Sequence, residues 1–326
     1  MKTIAVTGAS GHVGNTLCRE LTERGYRVKA LIHQHRNGLD HLPVETVQGD
    51  VMNPKSLKNF LNGVDILFHL AAKISIDNKN RHEVFRINVN GTRNVIQACM
   101  DQKVKRLIHM ASIHTLRIQN IFEPVTEDMP LIDHSSIAYE QSKAEAEREV
   151  LAAAKQGMDA LILTPTAIIG PYDHEPSFLG RALILIYQNR LPMLVKGGYD
   201  LVDVRDVVKG AISAAEKGRS GERYLLSGNW YSLRELSEMI GKISQMKTPK
   251  WIAPAPVAHL GIPFIRWYAR IKKEPPLFTS QSLHILKHSA RHISSEKARI
   301  ELQYEPRPIM DTLRDTFEWF RENEML

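Results

Sequence analysis

The sequence predicts an α/β protein: a doubly wound parallel sheet with a smaller C-terminal region added to it. Two observations carry that expectation. Short apolar runs of strand type alternate with amphipathic helical patterns roughly thirty residues apart, the rhythm of repeated strand–helix–strand units. At Thr3 to Gly14, TIAVTGASGHVG, such a run passes through a glycine-rich turn directly into a helix.

Strands are expected at Thr3 to Thr7, Arg27 to Ile32, Glu45 to Gln48, Asp65 to Leu70, Arg106 to Ala111 and Ala160 to Leu163. Helices fall between them, near Val13 to Arg24, Pro54 to Leu61, Arg81 to Asp101 and Ala138 to Gln156. Asn53 followed by Pro54 reads as an N-cap with proline in the first turn. After Pro165 the alternation becomes irregular, and Pro, Gly and aromatic residues cluster at Gly170 to Phe178, Gly197 to Tyr199 and Trp251 to Phe278. Residues 1–165 are therefore expected to hold the parallel sheet and 166–326 to shape a substrate site. The second part does not read as independent, because strand-like Tyr224 to Leu226 and helix Leu233 to Ile243 need the first part to cover them. Ile309 to Phe320 closes the chain as an amphipathic helix with Leu313, Phe317 and Phe320 on one side.

With 326 residues and two cysteines, Cys18 and Cys99, the chain can bury a large core, and a disulfide framework is excluded on count. A reducing, cytoplasmic setting is expected. The opening MKTIAVTG is too short for a signal sequence, and no run approaches the ~20 apolar residues of a membrane span. The net charge of +7 is concentrated between Arg266 and Arg299, which holds eight Lys or Arg against Glu274 and Glu296. That stretch reads as a solvated basic face, with an anionic surface or a phosphorylated ligand as alternatives. A small-molecule substrate is expected, with no nucleic acid and no metal; a homodimer is left open.

Gly8, Gly11 and Gly14 punctuate the first strand–helix junction. A pyrophosphate needs bare backbone N–H groups and the positive end of a helix, and glycine leaves both accessible. An ordinary tight turn has the same look. Ser10, His12 and Val13 belong to the turn and would line the phosphates. A carboxylate at the end of the second strand would mark NAD, whereas basic residues accommodate the 2′-phosphate of NADP. Here Leu31-Ile32 is followed by His33-Gln34-His35-Arg36, with no carboxylate before Asp40. NADP is therefore expected over NAD, held at His33 and Arg36, and a carboxylate placed at Ile32 is expected to favour NAD. Asp50, with Val51 beside it, can accept from the adenine amino group. Ala71 and Ala72, followed by Lys73, let the cofactor lie across the sheet edge.

Tyr139 and Lys143 stand four residues apart, one turn along a helix face. A phenol is a poor acid–base group at neutral pH unless a fixed cation favours its ionised form, and Lys143 is placed to do that. Ser112, at the carboxyl end of the fifth strand, can hold a substrate oxygen beside Tyr139; a strand-end cap is its plainer reading.

The TGASGHVG turn, GDV at Gly49 to Val51, HLAA, INVNGT from Ile87 to Thr92, Ser112, Tyr139-xxx-Lys143 and PTAIIGP from Pro165 to Pro171 together resemble the extended short-chain dehydrogenase/reductases over nearly the whole chain. The resemblance implies a Rossmann-type fold and catalytic roles for Ser112, Tyr139 and Lys143. It implies that Asn88 supports a water relay near the lysine, and that the stretch at Pro165, Thr166 and Ile168 meets the nicotinamide. Within the family the sequence is most similar to the dihydroflavonol reductase-like carbonyl reductases. It departs from sugar-nucleotide enzymes at Ala167, where they carry asparagine, and from dehydratases at Ser112-Ile113-His114, which lacks their acidic pair. The expectation is an NADP(H)-dependent oxidoreductase acting on a carbonyl or secondary alcohol of a small, apolar substrate. A sugar-nucleotide epimerase or dehydratase with tightly bound NAD, and a non-catalytic dinucleotide-sensing interaction protein, are the alternatives. Trp251 to Phe278 is expected to cover the substrate as a lid, with packing or peripheral membrane contact as the other readings.

Overall fold

Thr3–Thr7 (β1) lies in the interior of the main sheet because the chain leaves it first to one side and then to the other. Arg27–Ile32 (β2) and Glu45–Gln48 (β3) extend one side. Ile66–His69 (β4), Arg106–Met110 (β5) and Ala160–Pro165 (β6) extend the other, and Arg223–Leu226 adds a seventh strand beyond β6. All neighbours are parallel, so a crevice opens above the carboxyl ends of β1 and β4, where the winding reverses. The structure, a computed structural model, describes residues 2–75, 80–191, 193–254 and 280–326.

Alternation along β1 buries both faces: Ile4 and Val6 face one apolar layer and Ala5 the other. The helices are His12–Glu23 (α1), Pro54–Leu61 (α2), Arg81–Phe85 (α3), Gly91–Asp101 (α4) and Ala138–Lys155 (α5). α1 covers the first layer through Leu17 and Leu21; α2, α4 and α5 cover the second through Leu57, Phe60, Val95 and Val150. Asn53 caps α2 as expected, accepting from the N–H groups of Lys55 and Ser56 at 3.0 and 3.3 Å. Cys18 and Cys99 are buried free thiols, pushed up to about 12 by burial. The expected single helix from Arg81 to Asp101 is interrupted: Arg86–Asn90 forms a turn of π-helix between α3 and α4. A tertiary contact accompanies it: the Asn88 amide there bonds both the N–H and the C=O of Lys73, at 2.7 and 3.1 Å.

Beyond β6 come Ala167–Ile169 (β7), Phe178–Tyr187 (α6), Leu194–Val195 (β8), Gly198–Asp203 (β9) and Val204–Lys217 (α7). Then follow the seventh strand of the main sheet (β10), Asn229–Ser232 (β11), Leu233–Ser244 (α8), Ile252–Ala253 (β12), Ser280–Lys287 (α9), Glu296–Leu302 (α10) and Ile309–Glu322 (α11). β11, β9 and β7 make a small sheet, and β12 pairs with β8. Leu313, Phe317 and Phe320 of α11 pack with Leu236 and Ile240 of α8, so the terminal helix closes the smaller core. The main sheet draws its last strand from beyond residue 165, and α7 and α10 return to its first layer through Val207, Ala211 and Ala298. Of the expected lid at Trp251 to Phe278, residues 255–278 lie outside the described residues, as do Arg266, Arg270, Lys272 and Lys273 of the basic stretch. Trp251 is exposed. No described helix is long and apolar enough to cross a membrane.

Candidate active site

The glycine turn is forced by close backbone approach. Gly8 has φ +69°, and a Cβ there would stand 2.7 Å from the Ala71 nitrogen; a Cβ at Gly14 would stand 2.1 Å from the Gly8 carbonyl oxygen. Gly11, at the start of α1, makes no side-chain cap, so the first N–H groups of the helix face the cleft without one. Such a terminus fits a dinucleotide pyrophosphate, and Gly8, Ser10, Gly11, His12, Val13 and Gly14 all line the cleft above it. His12 is oriented by its Nε2–H, which donates to the Pro171 carbonyl at 2.9 Å.

The same cleft, of about 920 Å³, is lined by His33, Asp50, Val51, Ala71, Ala72 and Lys73 on one side and by Pro165, Thr166 and Ile168 on the other. Arg36 is not among its walls. Its guanidinium lies 3.5 Å from Asp40 on the loop after β2, both exposed. Ile32 is 3 % exposed within the apolar layer, so a carboxylate there would be buried in the core rather than offered to a ribose. Leu31, His33 and Gln34 are the residues of this segment that face the cleft. His33 Nε2 lies 3.6 Å from the Asp50 carboxylate.

Ser112, Tyr139 and Lys143 meet in the cleft. Burial pushes the Tyr139 phenol up, a hydrogen bond with the Ser112 hydroxyl pulls it partly back, and the neighbouring Glu140 charge pushes it up again. Burial pulls the Lys143 ammonium down to about 8, opposed by the Glu147 carboxylate one turn along α5. Lys143 Nζ donates to the Met110 carbonyl. Asn88 does not line the cleft. Its Nδ2 donates to Ser142 Oγ at 2.9 Å, tying the Lys73 segment to α5 beside Lys143.

Two histidines lie beneath this group. His69 Nε2 meets Thr92 Oγ1 at 3.0 Å, and that hydroxyl spends its proton on the Asn88 carbonyl at 2.6 Å. Donor counting therefore puts the His69 proton on Nε2 and leaves Nδ1 to accept from Thr7 Oγ1 at 2.8 Å. His109 is equally buried, with its ring 5.4 Å from that of His69 and no described partner for either nitrogen. Burial first, then the Lys143 charge, holds both neutral: His69 is pulled down to about 3, and His109 well below its ordinary value with a further push from His69.

The far end of the cleft is apolar, walled by Ile137, Phe178, Leu179, Ile186, Leu233 and Leu286. These residues were not singled out from the sequence, although FLGRALILIY in α6 is hydrophobic on more than one side, a signal that a second surface is covered. Tyr199 joins them, its phenol pushed up to about 12 by burial. His114 is a second missed residue, half-buried on the cleft wall two positions beyond Ser112.

Residues 4–227 match the NAD dependent epimerase/dehydratase family. The chain is 33% identical to the sterol demethylase protein B of Methylococcus capsulatus, over 99% of this chain and 100% of that one. It is 32% identical to a protein of Synechocystis sp. named as a candidate dihydroflavonol 4-reductase, over 98% and 94%. The crystal structure of gox2253 shares the fold with a TM-score of 0.86 at 31% identity, covering 100% of both chains. Identity at this level over whole chains means a shared ancestor as well as a shared shape, and this chain belongs to the NAD dependent epimerase/dehydratase family of extended short-chain dehydrogenase/reductases.

Proposed function

We propose that the protein is an NADP(H)-dependent oxidoreductase that interconverts a carbonyl and a secondary alcohol on an apolar substrate. The observation that carries this reading is the meeting of Ser112, Tyr139 and Lys143 where a dinucleotide-type cleft runs into an apolar chamber. The nicotinamide, when bound, supplies or takes up the hydride. In reduction the Tyr139 hydroxyl, kept protonated by burial, gives its proton to the substrate oxygen. The Ser112 hydroxyl bonds the same oxygen, and the Lys143 ammonium stabilises the phenolate left behind. Asn88 holds α5 and the Lys73 segment in register.

NADP is favoured because no carboxylate closes β2, and because His33 and Gln34 turn toward the cleft there. The apolar chamber favours a hydrophobic substrate over a sugar nucleotide, and a relative named for sterol demethylation is in keeping with that. The test is cofactor oxidation by the purified protein with a panel of ketones, aldehydes and steroids. NADPH consumption that depends on the carbonyl compound, with NADPH bound more tightly than NADH at equal salt, is expected. A protein that carries nucleotide through purification and gives no net absorbance change would point to an epimerase, and tighter NADH binding would overturn the NADP assignment.

A further inference from the structure

The loop after β2 brings His33 and Gln34 to the cleft. Within the first half of the chain its ties are modest. The Gln48 amide donates to the His33 carbonyl at 2.7 Å, and the Leu39 N–H closes a turn on the Arg36 carbonyl at 2.9 Å. The Asn37 carbonyl receives one long contact from α1, with Asn15 Nδ2 at 3.5 Å.

A closer contact comes from the other half of the chain. Asn37 Nδ2 donates to Glu175 Oε1 at 2.5 Å, across 138 residues of sequence. Gly38, at φ +72°, lies so near His174 that a Cβ there would stand 2.4 Å from the imidazole. Neither Glu175 nor His174 lines the cleft.

Glu175 can serve as a fixed point because the segment carrying it is fastened at both ends. At its start the His12 imidazole donates to the Pro171 carbonyl at 2.9 Å, and Tyr172 sits at φ +71° with the Arg19 guanidinium 4.6 Å from its ring centroid. A left-handed tyrosine is a strained backbone that its surroundings must hold in place. At its end the buried Asp173 accepts from the Ser177 N–H at 2.8 Å, and Ser177 Oγ accepts from the Gly180 N–H at 3.0 Å, which starts α6. His174 is seated between these ends by edge-on contact with Trp319, 5.0 Å between ring centroids.

A loop discriminates well between ligands only if it is ordered before they arrive, since ordering on binding subtracts from affinity. We propose that Glu175 and His174 are positioning residues for the loop after β2, so that recognition of the group on the ribose 2′ carbon is set in part from the substrate half of the chain. The inference rests on the NADP reading above for the direction of that preference.

Adenosine 2′,5′-bisphosphate and 5′-AMP differ by the 2′-phosphate alone, and both lack the nicotinamide. Each is titrated calorimetrically into wild type and variants at one salt concentration. Wild type should prefer the bisphosphate about tenfold or more, as for a phosphate held by charge-assisted bonds. Glu175→Ala should cut that ratio about threefold or more with AMP affinity unchanged. Glu175→Gln, whose amide oxygen can still accept from Asn37, should keep most of it, and adding Asn37→Ala to Glu175→Ala should cost nothing further. His174→Ala, which opens space beside Gly38, should lower the ratio as Glu175→Ala does. Because each ratio is taken within one variant, partial loss of folded protein cancels. The sign separates position from charge: by electrostatics alone, deleting a carboxylate near a phosphate would raise the ratio, and equally in the Ala and Gln variants. That rise, or a ratio unchanged in both Glu175→Ala and His174→Ala, would overturn the proposal, as would equal binding of the two probes, or binding of neither, by wild type. A wild type that prefers AMP would count against the NADP reading instead. Collapse of that reversed preference in Glu175→Ala would leave the positioning role standing, and its persistence would remove it.

Discussion

Burial keeps the Tyr139 phenol protonated and the Lys143 ammonium close to losing its proton, so the two halves of the acid–base pair are pushed in opposite directions by the same low-dielectric surroundings. Tyr139→Phe removes one hydroxyl and almost no packing. It should lower kcat by roughly 10²–10⁴ with nucleotide affinity unchanged, and near-normal turnover would take Tyr139 out of the mechanism. Lys143 sets the pH limit. Its charged form predominates below about 8, so kcat/KM for carbonyl reduction should fall as pH rises through that value. A profile flat from 7 to 9.5 would contradict this. Tyr139 and Lys143 were legible in the sequence because an i, i+4 pair on a helix is a local fact. His114 was not, because only the fold of the turn after β5 brings it to the cleft wall. For Arg36 the charge can be read from sequence, but the direction of the loop after β2 cannot.

Among the elements, the strands of the first half were readable almost to the residue, since all but the half-exposed edge strand β3 are largely apolar runs buried on both faces. The π turn in the helix expected at Arg81 to Asp101 was not, because it answers to a tertiary bond from Asn88 to the Lys73 backbone. α5 is pinned to the sheet by an ion pair that periodicity also could not reveal. Glu147 is fully buried, bonded at 2.6 Å by Arg223 Nε of β10, whose guanidinium also donates to the carbonyls of Glu127 and Met129. Removing one member leaves the other charge buried and unpaired. Glu147→Ala should therefore cost about 3–5 kcal/mol in denaturant unfolding, and adding Arg223→Met should recover much of it. A loss under about 1 kcal/mol would show that water reaches the pair.

For the molecule as a whole, the buried histidines predict acid lability. Their folded-state values lie below the unfolded one, so as pH falls under 6.5 the unfolded chain takes up protons that the native state refuses, and stability drops. His69 alone should cost on the order of 2–3 kcal/mol at pH 4.5, with the loss continuing toward about 3. His109→Leu removes an unpartnered imidazole and should flatten this slope; identical slopes in variant and wild type would clear His109 of the effect. The position of β10 has a consequence during synthesis. Until residues 166–222 have left the ribosome, β6 presents an unpaired edge, and at ~5–20 residues per second that interval is roughly 3–11 s. The nascent chain must pass through it with the eventual floor of its active site open along one side, where another strand, from a neighbouring nascent chain as easily as from its own, can pair first.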